Sequence, residues 1–265
     1  MEDLTKRAWE IFRQVQEKRP LVQCITNFVT VNDCANMILA AGGSPSMAHD
    51  IREAAEAAAA ASALVCNLGA IGDTDAMEAA GKAANLLGIP VVFDPVAAGG
   101  TSLRRAEAAR LMRAVHFSVI RGNASEIRFL AGEQSSGSGV DAGMFDEITE
   151  ENLSAAIGIV KGLAEKTGSV IAVSGRLDLI SDSRRTAVLR NGSPVMARIT
   201  GSGCMLTALT GAFCGACQKD CFTAAFAASA VMGVCGELAD AKRLERGTGN
   251  ASFRNDLIDA VFTLT

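Results

Sequence analysis

The chain has 265 residues, a formal net charge of −4, 49% hydrophobic residues and 20% charged ones. That balance excludes a disordered or fibrous polypeptide and leaves chain enough for one large α/β domain. The 25 Lys and Arg residues are scattered along the sequence, so no surface is predicted that would neutralise the neighbouring phosphates of a nucleic acid.

The first twenty residues mix charged and apolar positions at helical spacing and lack the basic start and apolar centre of a signal peptide. They predict an N-terminal helix and a cytoplasmic protein. Short β-rich runs then alternate with longer helical patterns. Strands are predicted at Leu21–Ile25, Ala63–Asn67, Pro90–Asp94, Phe117–Arg121 and Ser169–Ser174. Helices are predicted between them at Asn32–Ala41, Ile51–Ala61, Asp75–Leu87, Leu103–Ala114 and Glu151–Lys166. Strand followed by helix, repeated in this way, predicts an α/β fold with a central, mainly parallel sheet flanked by helices on both faces. No linker divides the chain, which reads as a single domain over residues 1–265. The polar tract Gln134–Gly139 reads as a surface loop.

Beyond Ser174 the pattern changes. Thr186–Arg190 and Val195–Ile199 flank Asn191-Gly192-Ser193, which predicts a β-hairpin. Helices follow at Gly203–Phe213, from Phe222 to about Arg243, and from Ala251 onward. The apolar stretch Thr223–Cys235 is too short to span a bilayer and predicts a buried helix, so no membrane role is expected.

The eight cysteines, in a chain of this size without an export signal, read as reduced thiols rather than staples. Cys214, Cys217 and Cys221 have metal-like spacing. They are predicted on one face of an apolar helical segment, however, and neither His49 nor His116 is near in sequence, so core packing is expected.

In an open α/β sheet, ligands bind at the carboxyl ends of the strands. Here those ends read Ile25-Thr-Asn27, Cys66-Asn-Leu-Gly69, Phe93-Asp-Pro95, Arg121-Gly-Asn-Ala-Ser-Glu126 and Ser174-Gly175. Any one of them is ordinary turn chemistry. Together they gather acids, a guanidinium, amides and flexible backbone on one edge, which suits a polar ligand. Later, Gly201 and Gly203 let the backbone bend close to a ligand where a helix begins, and the unpaired N–H groups of such a start bind anions. The spacing is neither that of a Walker loop nor the GxGxxG of a dinucleotide fold.

The motifs CITNFVTVNDCAN, GGSPSMAHD, NLGAIGD, FDPVAAGGTSLR, VIRGNASEI, GVDA, VIAVSG and TGSGCMLTAL occur in this order from Cys24 to Leu209. As a set they make the chain resemble the hydroxyethylthiazole kinases, members of the ribokinase-like fold that phosphorylate the alcohol of 4-methyl-5-(2-hydroxyethyl)thiazole in thiamine salvage. The resemblance implies that Arg121, Asn123, Ser174 and Gly203 contact ATP, that Asp94 and Glu126 hold Mg²⁺ beside the phosphates, and that Asn27, Met47 and Gly201 line the thiazole pocket. It also implies a homotrimer with active sites between subunits. Two departures are mild: Ala97-Ala98-Gly99-Gly100 stands where the family more often reads Gly-Ala-Gly-Ala, and Ser174 where Thr is common.

Ribokinase-like enzymes commonly place an Asp after the second glycine, as the base toward the accepting alcohol. This chain has Cys204 there. A helix start favours negative charge on a thiol, and the loose transition state of phosphoryl transfer does not need full deprotonation before attack, so Cys204 is expected to serve as base or to position the alcohol. The rival reading, a covalent thiol enzyme, requires His49 or His116 as its base. A hydroxymethylpyrimidine kinase is the nearest enzyme alternative, and Cys in place of Asp after Gly203 argues against it.

Overall fold

The computed structural model describes residues 2–132 and 147–264. The predicted loop Gln134–Gly139 and the motif Gly139–Ala142 lie outside the described residues. An eight-stranded sheet runs through the molecule in the order β2-β1-β3-β4-β5-β6-β7-β8. Its strands are β1 (Leu21–Ile25), β2 (Ser44–Ser46), β3 (Ala63–Asn67), β4 (Val91–Asp94), β5 (Val119–Asn123), β6 (Val170–Ser174), β7 (Asp178–Ser181) and β8 (Thr186–Leu189). From β2 to β6 every neighbouring pair is parallel, while β6, β7 and β8 pair antiparallel.

The central strands are mainly apolar because both of their faces are covered, with polar residues at Gln23 and toward the carboxyl ends. Side chains alternate between the faces. Val22, Cys24, Val65, Val92 and Val119 join one core, and Leu64, Cys66, Val91, Phe93 and Ile120 join the other. The first core is closed by α1 (Glu2–Lys18), α2 (Val31–Ala40), α8 (Ser202–Ala216), α9 (Cys221–Arg246) and α10 (Asn250–Thr263). Its α1 face carries Ala8, Ile11, Phe12 and Val15, spaced to one side of a helix, and Phe12 stacks on Phe213 at 6.0 Å. The second core is closed by α3 (Ala54–Ala59), α4 (Thr74–Leu86), α5 (Ser102–Ala114), α6 (Ala124–Ala131) and α7 (Leu153–Thr167), with Phe93 stacked on Phe117 at 4.5 Å.

Several expectations are corrected. The predicted hairpin around Asn191-Gly192 does not form: β8 pairs backward with β7, and Pro194–Arg198 is a short 3₁₀ helix opened by a bond from Val195 N–H to Ser193 Oγ. Pro194 has no N–H to give a ladder, and the Asn191 side chain donates to Ala230 O rather than closing a turn. The Cys214, Cys217 and Cys221 trio does not share one helix face. Cys214 lies in α8, Cys217 caps its end, and Cys221 opens α9. α9 is also longer than expected: 26 residues, long and apolar enough by composition to cross a membrane, yet with 72% of its apolar window buried in the fold. The elements β2, β7 and α6 were not predicted.

Candidate active site

Five strands that are neighbours in the sheet each deliver one polar side chain to its carboxyl edge. Asn27 follows β1, Asn67 ends β3, Asp94 ends β4, Arg121 lies in β5 and Ser174 ends β6. Over this edge comes the start of α8. Gly201 caps it in the left-handed conformation at φ 81°, and a Cβ there would lie 2.4 Å from Thr30 Cγ2, so only glycine fits the turn. A Cβ at Gly203 would lie 2.7 Å from Arg121 Nη1; the missing side chain lets the guanidinium rest against the first turn of the helix.

Cys204 is in that first turn, partly buried. Asn67 Nδ2 lies 3.1 Å and Asn27 Nδ2 3.4 Å from its Sγ, so the sulfur is held as an acceptor by two amides. Both amides are themselves fixed: Gly69 N–H donates to Asn67 Oδ1 at 2.8 Å, and Thr30 donates to Asn27 Oδ1 through its N–H at 3.2 Å and its hydroxyl at 3.1 Å. Asn67 Nδ2 also faces Asp94 Oδ2 at 3.3 Å, which accepts from Thr207 Oγ1 at 2.6 Å and stands 3.7 Å from Arg121 Nη1.

Asp94 is buried, and its carboxyl is raised to about 6. Burial is the largest cause, Glu126 adds to it, and Arg121 and Thr207 oppose it. Arg121 Nη2 donates to Ser174 Oγ, while its buried Nε has no hydrogen-bond partner among the described residues. Such a donor inside a polar site invites an anionic ligand. Asp178 is raised to about 6 as well, by burial against the opposing pull of Gly175 N–H and Arg121.

Glu126 joins two loops. One oxygen accepts from Ala97 N–H at 2.8 Å, and the other from Asn123 N–H at 2.9 Å. The second bond is half of a capping box, in which Asn123 Oδ1 accepts from Glu126 N–H at 2.9 Å. Ala97 is held with φ 54°, unusual for a residue with a side chain.

Arg121, Asn123, Ser174 and Gly203 all line one open cleft of about 1120 Å³, with Asp178 and Met232 on its walls. Its size suits a nucleotide better than a metabolite alone. Asn27, Asn67, Asp94 and Cys204 form a hydrogen-bonded edge beside it, with Gly201 at the α8 cap against Thr30. Met47 follows β2 and packs against the same core that Cys204 touches. His49 is exposed, with Nδ1 3.6 Å from Asp73 Oδ2, and the backbone of His116 is bonded to the Asn85 side chain before β5. Neither imidazole is placed to activate Cys204. The reading of the sequence gave no role to Asn67, Thr207 or Asp178; Asn67 was noted only as a strand end.

Among the described residues no three His, Cys, Asp or Glu side chains converge as a cage. Asp94 and Glu126 are hard oxygen donors whose mutual repulsion helps to raise Asp94, and each Glu126 oxygen keeps lone-pair capacity beyond its amide bond. A cation that retains waters and is completed by phosphate oxygens fits such a pair.

The hydroxyethylthiazole kinase family model matches residues 12–265. Over 257 residues the chain is 45% identical to the hydroxyethylthiazole kinase of Clostridium acetobutylicum, covering 96% of this chain and 94% of that protein. The structure of the hydroxyethylthiazole kinase protein from Pyrococcus horikoshii OT3 superposes with a TM-score of 0.85 at 34% identity, covering 98% of this chain and 94% of that one. A ribokinase-like superfamily protein from Enterococcus faecalis shares the fold alone, with a TM-score of 0.60 at 10% identity over 93% of this chain and 88% of that one. The fold is thus ribokinase-like, and the chain belongs to the hydroxyethylthiazole kinase family.

Proposed function

We propose that this chain, acting as one domain over residues 1–265, transfers the γ-phosphoryl group of ATP to the hydroxyl of 4-methyl-5-(2-hydroxyethyl)thiazole, with Mg²⁺ beside the phosphates, as a step of thiamine biosynthesis. The observation that carries the reading is the start of α8, where Cys204 faces two amides on one side and Gly203 opens onto Arg121 and the cleft on the other.

ATP lies in the cleft against Arg121, Asn123, Ser174 and Gly203. The free Nε of Arg121 and the N–H groups of the first α8 turn face the triphosphate, where developing charge is stabilised without reorganisation. Asp94 and Glu126 would hold Mg²⁺, which when bound offsets charge on the phosphate oxygens. Asn27, Met47 and Gly201 bound the thiazole, the polarizable Met47 sulfur suiting an aromatic ring. As the alcohol oxygen bonds to the γ-phosphorus, the bond to the β-phosphate oxygen breaks. ADP leaves with that electron pair, and the hydroxyl proton passes to Cys204 Sγ.

Phe28 and Val29, which directly follow Asn27, are 91% and 59% exposed. Large apolar side chains left open beside the acceptor end support a homotrimer with active sites between subunits. Eight free cysteines support a cytoplasmic protein. The purified chain with Mg-ATP and hydroxyethylthiazole should give thiazole phosphate and ADP in equal amounts. Absence of the phosphate above an enzyme-free control, with the chain folded, overturns the reading.

A further inference from the structure

Asn67 is 1% exposed and sits between the two groups the reaction uses most differently, the proton-accepting sulfur and the buried carboxylate. Its orientation is settled by chemistry rather than by shape. A carboxamide looks alike from both ends, but the Gly69 N–H at 2.8 Å must meet an oxygen, so the NH₂ end faces Cys204 Sγ at 3.1 Å and Asp94 Oδ2 at 3.3 Å. The close packing requires glycine at 69, because a Cβ there would lie 2.6 Å from Asn67 Oδ1. One rigid amide therefore spends one hydrogen on the sulfur and the other on the carboxylate. Among the described residues no other side chain bonds to both.

We propose that Asn67 is a positioning residue for phosphoryl transfer: it holds Cys204 Sγ as a proton acceptor and fixes its distance from Asp94, so that the acceptor alcohol and the phosphate end of the site stay in register. The inference rests on Cys204 acting toward the alcohol as proposed above. Asn67 itself touches no substrate. As the alcohol proton arrives, charge on the sulfur falls and the N–H···S bond weakens, so the amide acts by holding the sulfur in place before transfer rather than by added stabilisation of the transition state.

The experiment is a double-mutant cycle on steady-state kcat, with thermal melts as the control for folding. Asn67→Asp keeps the oxygen that accepts from Gly69 N–H and removes both amide donors; Asn67→Ala removes the whole group. In the otherwise native chain each variant should lower kcat roughly ten- to hundredfold, as expected for losing a hydrogen bond to a charged group, with KM for ATP within about threefold. In a Cys204→Ala background Asn67→Ala should cost at least about threefold less in kcat than in the native chain, because the sulfur it positions is gone and only its bond to Asp94 remains. Equal losses in both backgrounds would mean that Asn67 only supports the loop, and the inference falls while the role of Cys204 stands. If Cys204→Ala alone keeps full kcat, the base assignment fails and takes this inference with it.

Discussion

Thr207 Oγ1 lies 2.6 Å from Asp94 Oδ2, a hydroxyl on α8 bonded to a carboxylate at the end of the central strand β4. Both residues are buried, so neither group can turn to water instead. Thr207→Val keeps the shape and removes the donor. It should destabilise the chain by about 1–3 kcal/mol, the cost of losing one hydrogen bond to a buried carboxylate that keeps Asn67 and Arg121 as partners, and lower kcat, while Thr207→Ser restores both. Urea unfolding and steady-state rates check this; a Val variant with native stability and native kcat would show that the bond is idle.

Cys204 is assigned to proton acceptance or alcohol positioning, so Cys204→Asp should remain an active kinase. Cys204→Ala should lose roughly ten- to ten-thousandfold in kcat, nearer the low end because a loose transition state needs little early deprotonation. Mass spectrometry of quenched native enzyme should find no substrate adduct on the sulfur. A folded but dead Asp variant together with such an adduct would establish covalent catalysis in place of this mechanism.

Ala97 stands at φ 54°, where a Cβ is crowded. Ala97→Gly retains the N–H bonded to Glu126 Oε1 and relieves the strain. The gain should be roughly 0.5–1 kcal/mol after the entropy that glycine adds to the unfolded chain, read as a rise of about 1–2 °C in Tm. A fall in Tm would contradict it.

If the acceptor end is closed by a neighbouring subunit, the 91% exposed Phe28 ring is buried in the assembly. Phe28→Asp should shift the protein to smaller species in sedimentation velocity and reduce turnover in parallel. A monomer with full activity refutes the interfacial site.

Asp220 caps α9, accepting from Thr223 N–H at 3.2 Å and Thr223 Oγ1 at 2.7 Å, and pairs with Arg7 at 2.7 Å and Arg185 at 2.9 Å. Burial pushes its carboxyl up, but the bonds from Arg185 and Thr223 outweigh that and hold it at about 2. A folded value below the unfolded one means that the stabilisation is complete above the unfolded value near 4 and is lost as pH falls toward about 2. Asp220→Asn should therefore cost about 1–2 kcal/mol at pH 7 and only a small fraction of that at pH 2, where the folded carboxyl is about half protonated. Denaturant midpoints across that range decide it; a constant difference would mean that the charge contributes nothing.

The sequence made the layered α/β architecture legible because its central strands are buried on both faces. Leu21–Ile25 is apolar apart from Gln23 and Ala63–Asn67 apart from its last residue, and the structure has strands over the same residues. β2 escaped because Ser-Pro-Ser at a sheet edge carries no hydrophobic signal. β7 escaped because Asp178–Ser181 is short and starts with an acid, leaving β8 without its true partner and making Asn191-Gly192 look like a turn between strands. α6 was hidden by its own capping box, since Asn123 and Glu126 drew attention as ligands. Of the site, the residues closing strands were visible. Thr207 was not, because its importance comes from facing Asp94 across more than a hundred residues of sequence, which no local pattern records.

Asn27, Asn67, Asp94, Arg121 and Ser174 stand on or just past five adjacent strands, β1, β3, β4, β5 and β6. Four steps at a strand spacing of about 4.8 Å separate the first from the last, roughly 19 Å along the edge. The sheet thus acts as a ruler laid under the reactants, graduated in units that hydrogen bonding between backbones does not allow to stretch. Longer alcohols would have to be accommodated beyond the β1 end, where Phe28 and Val29 stand open, because no mark between Asn27 and Ser174 can be moved without unpairing two strands.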